Sequence, residues 1–445
     1  MKANTKLQRE AVMNKYISEY NSKKVTLDEA LGVLKSGYTL GTSENAIEPT
    51  ALFDNLHTLH GKVSDITMLD GIMLREHPFI VDPQYKGMVN TESIFLMGPA
   101  RKGLKFGGVT HVPGDLHTVC SRWLEARDNH INVFWGSASP MDEHGYMCLS
   151  LCLIHEKELF EAADVVILEI NPNIPTVYGD TEIHIRDVDY IIETNTPLPE
   201  LPRSKPTEDE KTMGGYIASL VNDGDTIQLG IGGVPDAVAE QLMNKHDLGI
   251  HTELITNSMV DLVEAGVITG KKKTLHKGKM VSAFVMGDRR LYDFVDRNPS
   301  VMVMRGSYTN DPAVIAKNDN MVSINSALSV DLTGQCASEA IGTVQYSGTG
   351  GQVDTAVGAL HAQNGRSIIA VHSTAKNGTV STITPTLAPG SIVTLNRTNV
   401  DHVVTEYGIA YMRGRSVRQR IENLIAVAHP DFRGELRAEA NKIWF

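Results

Sequence analysis

Nothing in this 445-residue chain approaches the roughly 20 consecutive apolar residues that a bilayer-spanning helix needs. Its start, Met1 to Lys24, is polar and charged and has no apolar stretch of the secretory type. A soluble, cytoplasmic protein without a membrane partner is expected. Cysteine is scarce, and four in the whole chain cannot frame a disulfide scaffold. Cys148 and Cys152 lie four apart with Asp142, His144 and His155 nearby, but a structural zinc site needs a second pair at similar spacing, which Cys120 and Cys336 do not supply. The thiols read as small buried groups, and no metal is expected. Positive charge is in deficit: the formal balance is −12, which argues against a nucleic-acid partner. The one compact basic run, Lys271-Lys272-Lys273, reads as a solvated turn between a helix and a strand. Also missing are a Gly-x-Ser-x-Gly nucleophile elbow, a His-Glu-x-x-His metal motif and the kinase set.

What is present is a large supply of core. The chain is 42% hydrophobic and long enough for two or three domains. Short β-branched runs recur between helical patterns: Val165–Ile170, Thr226–Leu229, Val301–Met304, Ser367–Val371 and Ser391–Leu395. Such runs read as buried strands, and their alternation with helices predicts an α/β protein with largely parallel sheets. Between them, Thr196 to Pro206 holds four prolines in eleven residues, which excludes helix and disfavours a central strand. We place a linker at 196–207, an N-terminal α/β domain at 1–195 and a C-terminal one at 208–445. Each side carries the same echo, a Gly-x-Thr-Leu/Ile strand, a turn and a proline near a helix start: Gly37 to Gly41 leads to Pro49, and Gly224 to Gly230 leads to Pro235. Two related open α/β domains would produce it; so would chance.

Four features of the second half could carry chemistry. Gly230-Ile231-Gly232-Gly233-Val234 sits between a strand and a helix, where bare backbone N–H groups can meet a ligand. Its spacing is neither the dinucleotide fingerprint nor a phosphate loop, and a plain tight turn is the competing reading. Ser347-Gly348-Thr349-Gly350-Gly351 is a second such loop. Glu253 lies between the two in sequence, at the end of a short apolar stretch, where open α/β sheets carry their sites. A carboxylate beside two glycine loops suggests a nucleophile flanked by an oxyanion hole, although most glutamates at strand ends are merely solvated. Lys376, in Ser373-Thr374-Ala375-Lys376, either holds an anionic ligand or is a surface lysine.

Taken together, Gln228–Asp236, Leu248–Glu253, Tyr346–Asp354 and Val404–Ala410 resemble the family I coenzyme A transferases, nearest the branch of 4-hydroxybutyrate CoA-transferase and butyryl-CoA:acetate CoA-transferase within the acetyl-CoA hydrolase/transferase family. Asp142–Tyr146, Asn171–Pro175, Tyr178–Asp180 and Ala428–Phe432 extend the likeness from about residue 27 to the C-terminus. The resemblance implies two similar open α/β domains of the CoA-transferase type, acyl-CoA and a carboxylate as substrates, no permanently bound cofactor, and a homodimer or higher homo-oligomer. It makes Glu253 the catalytic glutamate with Asn310 assisting. It makes Gly230 to Val234 the CoA-contacting loop, with Gly350, Gly351, Leu328 and Lys376 also at the site. The mechanism it implies is ping-pong transfer through a glutamyl-CoA thioester, with amides near Ile231 and Gly351 holding the oxyanion. Glu253 must be ionised to attack, so a pKa not strongly raised is expected.

Two segments depart from the family's pattern, Thr256-Asn257-Ser258 and Thr355-Ala356-Val357-Gly358. Both flank the expected site, so the substrate pair does not carry over. A dicarboxylate such as succinate or itaconate stands beside the 4-hydroxybutyrate, butyrate and acetate class, with Arg186, Arg366 or Arg397 as candidate partners for a second carboxylate. An acyl-CoA hydrolase on the same scaffold and a non-catalytic acyl-CoA-binding subunit are the alternative functions.

Overall fold

The structure is a computed structural model that describes residues 15–445. The first fourteen residues of the polar N-terminal stretch lie outside the described residues. By contacts the chain divides into two compact units: one holds the described residues up to Gly114 with Thr118–Leu201 and Ala283–Ser307, the other Asp115–His117, Pro202–Ser282 and Tyr308–Phe445.

The first unit is built on a seven-stranded sheet: β1 (Thr39–Thr42), β2 (Ile66–Asp70), β3 (Val89–Ser93), β4 (Val109–His111), β5 (Ile131–Ala138), β6 (Ala163–Ile170) and β7 (Tyr190–Glu193). Their order is β4-β3-β2-β1-β5-β6-β7, with every neighbouring pair parallel. A parallel sheet is covered on both faces, which is why β5 is buried almost from end to end. Leu40, Met68, Val133, Trp135 and Ile167 share one core cluster there.

The second unit repeats the plan. Its strands are β8 (Thr226–Leu229), β9 (Gly249–Ile250), β10 (Met321–Ser326), β11 (Arg366–Ala370), β12 (His402–Thr405) and β13 (Gly408–Tyr411), in the order β9-β8-β10-β11-β12-β13. All neighbours are parallel except the closing hairpin of β12 and β13. Ile369, Val403, Ala410, Ile421 and Leu424 form its core cluster. The α/β expectation therefore holds in each unit, and both echo segments fold as strand, turn and helix.

Three expectations need correction. Ser391–Leu395 is not a strand: Leu395 is buried and bridges Cys336, but Ile392 and Val393 are about 40% exposed and have no strand beside them. The contiguous division at 1–195 and 208–445 also misses Ala283–Ser307, which belongs to the first unit. The reason is backbone pairing: Leu153 N–H donates to the Ala283 carbonyl, Val285 N–H to the Leu151 carbonyl, and Gly179 bridges Val303. Finally, the proline-rich stretch lacks helix and strand but is not loose. Asn171 donates to the Thr196 carbonyl, the Tyr292 hydroxyl to that of Pro199, and Leu201 N–H to that of Gly287. The stretch gives way to helix at Thr207, whose side chain forms a reciprocal capping box with Glu210 at the start of the Glu208–Ser219 helix.

Candidate active site

Glu253 follows β9 by three residues, at the carboxyl end of a parallel strand. β9 lies at the edge of its sheet and pairs with β8 over only two residues, Thr226 with Gly249 and Ile227 with Ile250. The next residues extend the pairing by side chain and backbone. His251 N–H donates to the Ile227 carbonyl, and the Thr252 hydroxyl to the Leu229 carbonyl at 3.1 Å. Thr252 thus joins the Glu253 segment to the residue that opens the first glycine loop. Gly232 there has φ 118°, a conformation that excludes side chains, and it caps the Gly233–Gln241 helix. Ile231 is 47% exposed, and Val234 is buried in the first turn of that helix.

The Glu253 carboxylate has two donors. The Asn310 side-chain amide reaches Oε2 at 3.2 Å, and the Gly351 N–H supports the charged form from the second glycine loop. Gly351 is glycine for a steric reason: a Cβ there would overlap both Glu253 Oε2 and Asn310 Nδ2. The helix Gln352–His361 starts at this point, with Gly350 at φ 55° turning the chain into it. One turn along, Asp354 is buried and bonded to His117, whose Nδ1 lies 2.7 Å from Oδ1 and whose N–H donates to Oδ2 at 3.1 Å. Burial, followed by the Asp354 charge, pushes the Glu253 pKa up to about 7, against the lowering effects of Asn310 and Gly351. The expectation of a carboxylate without a strongly raised pKa is therefore corrected. Desolvation outweighs the donors, and the group sits near the balance point between acid and base at neutral pH.

The two segments that depart from the family pattern turn inward. Thr355 is buried, accepts from Asn325 and donates to the Gly351 carbonyl; the Ser323 hydroxyl lies within hydrogen-bond reach of both Thr355 Oγ1, at 3.0 Å, and Gln228 Oε1, at 3.2 Å. This network ties β8, β10 and the second glycine loop together. Gly358 packs against Ile315 so closely that a Cβ would collide with it. The buried Thr256 and Ser258 hydroxyls lie 3.0 Å apart. These residues hold the frame of the site.

Other candidates are spread more widely. Leu328 is half-buried, its N–H on the Ala337 carbonyl. Lys376 is exposed at φ 49° in the turn of the hairpin of Thr374–Ala375 and Val380–Ser381. The hydrogen bonds around Glu253 do not include either residue. Arg366 is overturned as a substrate arginine. It starts β11, at the amino end of the sheet opposite Glu253, and is paired with the buried Asp225. Arg397 is exposed, and Arg186 belongs to the first unit, where its Nε donates to His184 at 3.1 Å. The basic run is also corrected. Lys273 is only 3% exposed, and its ammonium donates to the Ile250 and Lys279 carbonyls. The four thiols are all buried and unbridged.

Sequence reading missed His117, Asp354 and Lys273 as members of this neighbourhood. Only Asp354 carried a signal, its place one turn after the glycine pair. His117 meets it across 237 positions, which no local pattern encodes.

The arrangement offers the carboxylate of a half-buried residue, a neutral amide donor and a backbone N–H in one place. That is suited to attack on a carbonyl followed by capture of the negative charge on its oxygen. Residues 7–202 match the model of the acetyl-CoA hydrolase/transferase N-terminal domain and residues 287–440 that of its C-terminal domain. The chain is similar to a succinyl-CoA:cyclohexane-1-carboxylate CoA transferase of Geobacter metallireducens, at 42% identity over 96% of this chain and 97% of that one. It is 47% identical to a 4-hydroxybutyrate coenzyme A transferase of Clostridium kluyveri over 79% of this chain and 81% of that one. Its fold is similar to that of RipA from Yersinia pestis, with TM-score 0.90, 35% identity, and coverage of 96% of this chain and 99% of that chain.

Proposed function

The chain belongs to the acetyl-CoA hydrolase/transferase family and is a coenzyme A transferase, and from that premise we propose that Glu253 is the nucleophile that carries CoA between acyl groups. The reading rests on one observation above the rest: Asn310 and Gly351 converge on the Glu253 carboxylate, where a Cβ at 351 would overlap both side-chain ends as they stand.

The chemistry runs as follows. A Glu253 oxygen attacks the thioester carbon of an acyl-CoA, the C–S bond breaks, and CoA thiolate leaves an acyl-glutamyl anhydride. The thiolate then attacks the glutamyl carbonyl, releasing the acyl group as a carboxylate and leaving a glutamyl-CoA thioester. An incoming carboxylate reverses both steps and departs as the new acyl-CoA. Backbone amides of the two glycine loops, near Ile231 and Gly351, hold the oxyanions. The raised pKa serves this cycle, because a more basic carboxylate is the stronger nucleophile and neutral pH still leaves a large ionised fraction. Leu328 and Lys376 are assigned to CoA, the lysine as a point charge for an anionic part of it. The acceptor is a small carboxylic acid of the kind named for the relatives. A second substrate carboxylate would have to find a cation other than Arg366.

Transfer is favoured over hydrolysis because relatives similar across most of the chain are named as transferases. The deciding experiment is incubation with acyl-CoA, borohydride treatment and peptide mass spectrometry. An adduct or reduced side chain at Glu253 is expected, and acyl consumption should depend on added carboxylate. A Glu253→Ala protein with full transferase activity would refute the assignment.

A further inference from the structure

Glu253 rides on the weakest strand of its sheet. β9 is two residues long and lies at an edge, so its outward backbone groups find no neighbouring strand of the main sheet. They are met instead by a set of separate ties. Leu248 N–H donates to the Val267 carbonyl, and Thr252 N–H donates to the Val281 carbonyl. The Ile250 carbonyl is taken by a side chain, the Lys273 ammonium at 2.6 Å, which also donates to the Lys279 carbonyl at 2.8 Å. The lysine stem reaches this point by crossing Gly249, where a Cβ would overlap Lys273 Cγ. A buried ammonium with carbonyl partners is a costly way to satisfy one edge carbonyl, since a neutral donor would do the same. Burial accordingly pulls the Lys273 pKa down to about 7.

The residue after Ile250 shows what the lysine stands beside. His251 is 1% exposed, and its Nε2 lies 2.8 Å from the Thr309 carbonyl oxygen. A carbonyl only accepts, so Nε2 carries the proton and Nδ1, which has no partner among the described residues, carries the lone pair. Burial and then the Lys273 charge keep this ring neutral. The residue after Thr309 is Asn310, whose amide holds Glu253 Oε2. The chain of contact is therefore short: Lys273 fixes Ile250, His251 fixes Thr309, Asn310 fixes Glu253.

We propose that His251, seated by the buried Lys273, is a positioning residue that sets the Asn310 amide against the Glu253 carboxylate. It acts through Asn310 and touches no substrate. The inference rests on the reading of Glu253 as nucleophile and extends it to two buried residues that the chemistry does not use directly.

A double-mutant cycle tests this. His251→Leu should lower kcat roughly 10- to 100-fold while KM for acyl-CoA changes less than about threefold, because aim is lost and binding is not. His251→Gln places an amide N–H near the position of Nε2 and should recover most of the rate. In an Asn310→Ala background His251→Leu should cost little more, since the group it positions is gone. Lys273→Met is the second entry to the same chain and should show the same non-additivity with Asn310→Ala. Losses that simply multiply, or a His251→Gln protein as slow as His251→Leu, would overturn the proposal. Trapping of the glutamyl adduct in the same preparations separates the two levels. An adduct on Glu253 with multiplicative losses refutes the positioning role alone, whereas no adduct in the wild-type protein removes the nucleophile and the positioning role with it.

Discussion

The carboxyl ends of β1 and β2 in the first unit and of β8 and β9 in the second are built from the same pieces, dealt differently. In both, a threonine opens the central strand and pairs in parallel with its neighbour, Thr39 with Thr67 and Thr226 with Gly249. Four residues past those partners stand Gly71 in the first unit and Glu253 in the second. Five residues past the opening threonines stand Glu44 and Ile231. The carboxylate follows the central strand in the first unit and its neighbour in the second. Gly71 leaves room for Glu44, whose carboxylate a Cβ at 71 would strike, as Gly351 leaves room for Glu253. The environments then part. Glu44 is 1% exposed, accepts from Ile72 N–H, and faces Glu156 and Asp70, so burial and two further carboxyl groups hold its pKa well above the ordinary range. Glu253 keeps some exposed surface and an amide donor, and its pKa is raised only to about 7. The same end of the two sheets thus holds a sealed carboxyl group driven well above its ordinary pKa in the first unit and a half-buried one raised only to about 7 in the second. Access and the absence of crowding carboxyl groups separate a nucleophile from a piece of core.

The sharpest break of this comparison is Glu253→Gln. It retains shape and removes the attacking oxygen's charge, so transfer should fall by ~10³-fold or more, with no glutamyl adduct by mass spectrometry. Gly351→Ala comes next. The new methyl overlaps the carboxylate and the Asn310 amide, and a displacement near 1 Å at the reacting atoms costs about 10²-fold in rate. Steady-state kinetics should show the loss mainly in kcat.

Why was one side of this comparison legible in the sequence and the other not? The strands were, because Val165–Ile170 and Ser367–Val371 are covered on both faces and are apolar at all but one position each, Glu169 and Ser367. The same rule failed at Ser391–Leu395, where only Leu395 bridges a strand, at Cys336, and Ile392 and Val393 stay exposed. Glu253 and the glycine loops were legible because local backbone demands fix their residue types. The rest depends on distant contacts. His117 finds Asp354, and Lys273 lies buried in a run of lysines that looks solvated from its neighbours in the chain. The raised Glu253 pKa was misjudged for the same reason, since composition near 253 says nothing of how much protein closes around the carboxyl group.

A third, smaller effect is expected with pH. Attack needs the ionised form, so kcat/KM for acyl-CoA should be flat above about pH 7 and fall roughly tenfold per unit below it. Asn310→Ala removes a donor to the charged form and should move that limb to higher pH. A limb near 4.5 in the wild-type protein would mean that the carboxylate is as solvated as an ordinary glutamate.

The smallest change in activity is expected from Glu44→Gln, which tests the sealed side. If the group is protonated in the folded state, the amide replaces it with little change in shape, and transferase activity should stay within about twofold. Its effect should show in stability instead, with a definite sign. Burial raises Glu44 well above its unfolded value and Asp70 to about 8. A raised carboxyl pKa gives stability that is fully present below the unfolded pKa, near 4, and lost as pH rises through the folded value. The wild-type protein should therefore lose stability between about pH 5 and pH 9, as deprotonation forces charge into the first unit. Glu44→Gln should flatten that decline in denaturant melts, because one of the buried protons no longer has to be given up. Equal slopes in the two proteins would show that Glu44 is already ionised where it lies, and the contrast with Glu253 would then rest on access alone.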